Sequence, residues 1–150
     1  MAITKSGYGL LCALALLALA SPAEANDRRH MLPIKDALAS SAADTRLGDS
    51  VKFYFGSQAS PAGARRLAVD QTSQKTNAFG KSDVTACNWA FLSAMRQLEK
   101  RARELGANAV INIASNYKNV AVSSETEFEC HAGAIMAGVA LKGEFVKVAE

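Results

Sequence analysis

Asp83-Val84-Thr85-Ala86-Cys87-Asn88-Trp89-Ala90-Phe91-Leu92-Ser93-Ala94-Met95-Arg96-Gln97-Leu98-Glu99-Lys100-Arg101-Ala102-Arg103-Glu104-Leu105, bracketed by Ser82 and Gly106, is the stretch that decides the fold. Ser82 can cap a first helical turn, and Asp83 complements the positive end of the helix dipole. Gly106 stops the run, with Arg101 and Arg103 favourable in the last turn. At about 100° per residue, Cys87, Phe91, Ala94, Leu98 and Leu105 share one stripe, widened by Ala90, Met95 and Ala102. A helix is therefore predicted over 83–105, with that stripe turned to a core.

Outward from the helix, the pattern changes to strands. Residues 109–117 are rich in β-branched side chains. Residues 125–130 alternate, which predicts Glu125, Glu127 and Glu129 outward and Thr126, Phe128 and Cys130 inward. Residues 132–141 are apolar on both faces and predict one central strand, with Ile135, Val139 and Leu141 on one face and Ala132, Ala134, Met136, Gly138 and Ala140 on the other. Before the helix, Val51, Phe53 and Phe55 alternate as a strand, and 66–72 reads as a weaker one with Leu67 and Val69 inward. Pro33 suits the first turn of a short helix over 33–39, while 26–29 is polar and predicted to fray. The class expected is α+β, one long helix packed on a mostly antiparallel sheet, with a short N-terminal helix.

The first 25 residues stand apart. Lys5, an apolar run over 8–20 and Pro22-Ala23-Glu24-Ala25 form the pattern of a secretory signal peptide, with cleavage expected between Ala25 and Asn26. The run is shorter than the roughly 20 residues a membrane-spanning helix needs. Residues 26–150 suffice for one domain. The chain carries 17 Lys and Arg against 14 Asp and Glu, net +3, and loss of Lys5 and Glu24 leaves that balance unchanged. The excess is too small and too mixed to indicate nucleic acid. Cys12 would leave with the leader, and Leu10-Leu11 before it is not a lipoprotein signal, so neither a lipid anchor nor a membrane span is expected. Cys87 and Cys130 remain, an even pair in an oxidising compartment, which reads as one disulfide; two free buried thiols are the alternative. The helical stripe and the strand alternation independently aim both sulfurs inward.

The sequence Arg101-Ala102-Arg103-Glu104-Leu105-Gly106-Ala107-Asn108-Ala109-Val110, the placing of Cys87 and Cys130, and the small-residue run 132–141 resemble the C-terminal domain of RcsF-type envelope-stress proteins and, more loosely, the YbjQ-type small domains. The resemblance covers about the last 65 residues and implies a small envelope domain with a signalling role. The chain departs from RcsF in lacking the lipoprotein signal and the cysteines of a second disulfide.

Motifs for chemistry are sparse. Gly80-Lys81-Ser82 imitates the end of a phosphate-binding loop, but Lys75 stands where the earlier glycine is needed, so a glycine turn feeding a capped helix is the better reading. Glu127, Glu129 and His131 share a strand face at a spacing that could hold a metal; a solvated face is the alternative. No Cys-x-x-Cys is present, and His131 beside Cys130 points to the opposite strand face, so no catalytic residue and no cofactor are expected. Trp89, Leu92 and Arg96 fall on the outer side of the helix, a partner surface unless the short helix over 33–43 or the loop at Phe79 folds over it. Together these features predict a periplasmic or secreted, non-enzymatic envelope interaction or sensor module, binding an envelope protein or a second copy. A periplasmic metal- or small-ligand-binding protein is the alternative, and an unrecognised hydrolase the third.

Overall fold

The computed structural model describes residues 27–40 and 47–149. The leader and its cleavage point lie outside the described residues. The chain is mixed α+β, in the order β1 (Arg28–Pro33), α1 (Ile34–Ala39), β2 (Lys52–Phe55), β3 (Arg65–Asn77), α2 (Asp83–Leu105), β4 (Ala109–Ser115), β5 (Glu127–Ala132) and β6 (Met136–Lys147), with a 3-10 turn at Tyr117–Asn119. The six strands form one sheet, ordered β1-β5-β6-β4-β2, with β3 on the remaining edge of β6. Only the β2–β4 pair is parallel.

Helix α2 has the predicted bounds. Ser82 accepts a hydrogen bond from the Thr85 amide at 3.1 Å. Gly106 ends the helix in the left-handed region at φ 73°, its N–H returning to the Ala102 and Arg103 carbonyls. Phe91, Ala94, Met95 and Leu98 are buried. Phe91 stacks on Phe128 of β5 with ring centroids 4.2 Å apart, and Phe55 of β2 lies tilted at 6.1 Å. Cys87 and Cys130 are joined by a disulfide, Cα atoms 5.8 Å apart, tying α2 to β5 in the same core.

Three strand expectations are corrected. Residues 28–33 do not fray: they pair antiparallel with the whole of β5, from Arg28 opposite Ala132 to Pro33 opposite Glu127. The run 132–141 is not one strand, because the chain reverses at 133–135, where the Gly133 amide bonds the Met136 carbonyl at 2.8 Å. Apolar residues on both sides of that turn hid it. Strand β3 is 13 residues long, and a bulge between Arg66 and Ala68 adds a residue that inverts the alternation. Leu67 still packs on the core, but Val69 is 59% exposed. Thr126, expected inward, is exposed just ahead of β5.

Beyond the bulge, β3 keeps Thr72 and Gln74 partly buried and turns Gln71, Ser73 and Lys75 to the opposite, outer face. Strand β6 follows the same parity: Ala137, Val139 and Leu141 are core, while Gly138 and Ala140 face outward. Gly138 and Ala140 thus leave a bare patch on the outer sheet face, with Lys142 next along the same strand, opposite Gln71.

Candidate functional site

Strand register assembles the outer face row by row. Arg29 lies opposite His131, His131 opposite Gly138, and Gly138 opposite Lys75, so four strands place these residues in one transverse line. One row along, Met31 faces Glu129, and Ser73 faces Ala140. Strands β4 and β5 both pair with one edge of β6, and the Ser115 hydroxyl bridges the split by accepting the Glu129 amide at 2.8 Å.

At one margin, His131 hydrogen-bonds carboxylates through both ring nitrogens, Nε2 to Glu129 Oε1 at 2.7 Å and Nδ1 to Asp27 Oδ1 at 3.1 Å. Arg29 donates to the other Glu129 oxygen at 3.0 Å. Tyr117 stacks on the His131 ring with centroids 3.5 Å apart and donates its hydroxyl to Asp27 at 3.2 Å. Burial pushes the Glu129 carboxyl up, but the Arg29 and His131 hydrogen bonds outweigh it, and the carboxyl lies below its ordinary range. Burial, then the Asp27 carboxylate, raise the Tyr117 phenol, which keeps it a donor. Glu129 is 6% exposed rather than a solvated glutamate, because the stacked Tyr117 turn lies beside it.

The turn itself is strained. Lys118 and Asn119 sit at φ 49° and 63°, the left-handed region that costs a side chain like lysine of order 1 kcal/mol or more. Their neighbours hold them there: the Asn116 amide bonds the Ala140 carbonyl at 2.9 Å, and the Asn116 side chain donates to Gln71. Between this turn and β3 runs an open groove of about 450 Å³, floored by Ala140 and lined by Gln71, Ser73, Lys75, Lys118 and Asn119.

The sequence-predicted site residues divide. Glu129 and His131 come together, bonded to each other. Glu127 is exposed at the start of β5, and among the described residues no three His, Cys, Asp or Glu side chains converge as a metal site. Leu92 is fully buried, so the expected outer Trp89–Leu92 pair does not exist as a surface patch. It shares its helix bearing, seven residues away, with Glu99, which is 4% exposed, accepts the Gly48 amide at 2.7 Å and pairs with Arg103. The internal alternative therefore holds for Leu92: α1 packs on α2, and the chain leading into β2 reaches the helix at Glu99. Trp89 is 36% exposed and Arg96 exposed. The Gly80 turn feeds the Ser82-capped helix, as the glycine-turn reading has it.

Sequence reasoning missed Asp27, Arg29, Lys75 and Tyr117. It also missed a second charged cluster where β1 meets α2. Arg28 donates Nε and Nη2 to the two Asp83 oxygens at 2.8 Å each, and His30 Nε2 lies 2.8 Å from Oδ2. The Arg28 hydrogen bond chiefly holds the Asp83 carboxyl far below its usual range. A depressed folded-state carboxyl contributes stability above its unfolded pKa near 4 and loses it as pH falls below that value. Asp83→Asn is thus expected to cost about 1–2 kcal/mol at pH 7 and to flatten the decline in stability between about pH 4 and pH 2. Urea titrations at several pH values check this; an unchanged acid slope contradicts the role given to Asp83.

No protein-family model, curated protein or solved structure matches the chain. Among the described residues no helix is long and apolar enough to cross a membrane.

Proposed function

We propose that this chain is a secreted, non-enzymatic interaction module of the cell envelope, a disulfide-stapled domain whose one long helix backs a mostly antiparallel sheet. Its recognition surface is the outer sheet face. The observation that carries the reading is the open groove beside the turn at Tyr117–Asn119, where Lys118 is held in the left-handed region and Tyr117 stacks on His131. Strain of this kind concentrates where a surface is shaped for a ligand. The leader pattern and the Cys87–Cys130 disulfide fit an oxidising compartment. The Cys87–Cys130 bond leaves neither of these sulfurs as a thiolate nucleophile, which supports binding rather than thiol chemistry.

Ser73 is exposed on the groove wall, so Ser73→Trp fills the groove without entering the core. The unmodified protein is expected to co-sediment with purified envelopes, and the variant to keep its stability within about 0.5 kcal/mol while losing that co-sedimentation. Undiminished co-sedimentation of a folded Ser73→Trp protein refutes the assignment of this face.

A further inference from the structure

Building on the outer-face reading, we infer that the groove binds an acidic oligosaccharide, a chain of sugars carrying ring carboxylates. Its lining holds two ammonium groups, Lys75 and Lys118, and no carboxylate. Among the described residues neither lysine has an ion-pair partner, Lys118 lying 5.3 Å from the Tyr117 ring centroid, whereas Arg29, Glu129 and His131 in the rows beside them are paired. The other polar lining side chains are Gln71, Thr72, Ser73, Asn116 and Asn119, amides and hydroxyls that donate and accept as sugar hydroxyls do, and the Tyr117 ring completes the wall. The floor is the small side chain of Ala140.

The same inventory disfavours the two other acidic ligand classes. An acidic peptide needs a buried apolar anchor, and the one large ring at this margin, Tyr117, is already stacked on His131 at 3.5 Å. Phosphate is best held by arginine forks and free backbone N–H groups. This groove has no arginine, and the Asn119 and Val120 amides are spent on the Asn116 and Tyr117 carbonyls at 3.2 and 2.9 Å. Lysine serves a lone carboxylate as a compact point charge, and a groove open along its length accepts a chain.

Calorimetric titration of the mature, disulfide-bonded protein with a galacturonic acid tetramer tests this. Saturable binding is expected, weakened about tenfold by Lys75→Ala and by Lys118→Ala, unchanged by Arg96→Ala on the far side of α2, and reduced by added salt. The fully methyl-esterified tetramer should bind more than tenfold more weakly. Absence of binding, equal binding of tetraglutamate, or indifference to both lysine substitutions overturns the inference. If the tetramer fails while Ser73→Trp still abolishes envelope association, the ligand class falls and the recognition face stands; if both fail, both fall.

Discussion

Phe91→Ala is expected to remove about 3–5 kcal/mol of stability, the range for truncating a buried aromatic that leaves a cavity. Phe91 is wholly buried at the middle of α2, stacked on Phe128 and within ring contact of Phe55. It therefore touches the strand that carries the disulfide and a strand at the edge of the sheet. The helix positions flanking it on the core side, Ala90 and Ala94, are too small to fill the space. Chemical denaturation followed by fluorescence measures the loss, with Phe91→Leu as a milder control expected at no more than about half the effect. A cost below about 1 kcal/mol would show that the core is not organised around this ring.

The paired substitution Cys87→Ala with Cys130→Ala is expected to cost about 4 kcal/mol on a chain-entropy estimate for the loop it opens. The bond links positions 43 residues apart and lies fully buried between α2 and β5. Reduction of the unmodified protein under denaturing conditions should move its refolding midpoint to nearly that of the double variant. A double variant as stable as the oxidised parent contradicts a stabilising bond. Because Cys87 lies one helical turn from Phe91, and Cys130 two strand positions from Phe128, combining these substitutions should give less than the sum of their separate costs.

Helix α2 was legible to the residue because capping, periodicity and the stop glycine all agree at Ser82, along 83–105 and at Gly106. The disulfide was legible because two periodicities aimed both sulfurs inward. What escaped is non-local. Nothing in the polar segment beginning at Arg28 announces a strand; it becomes one because β5 pairs with it and Asp83 receives Arg28. The bulge between Arg66 and Ala68 has no local marker, and a single inserted residue reverses every later side chain of β3. That reversal is what sends Ser73 and Lys75 to the groove. Glu129 and His131 were singled out by their strand spacing, but their partners come from positions about 100 residues earlier and from the turn at Tyr117, which no spacing rule connects. Leu92 was placed outward by a correct helical wheel, which by itself cannot choose between a partner and the covering chain that the alternative reading allowed.

The most direct measurement of the central claim is site-specific photo-cross-linking in living cells, with the reactive side chain placed either at Ser73 on the outer sheet face or at Arg96 on the far side of α2. The outer-face account predicts a discrete cross-linked envelope species from position 73 and none from position 96. Cross-linking from position 96 with a silent position 73 would contradict it.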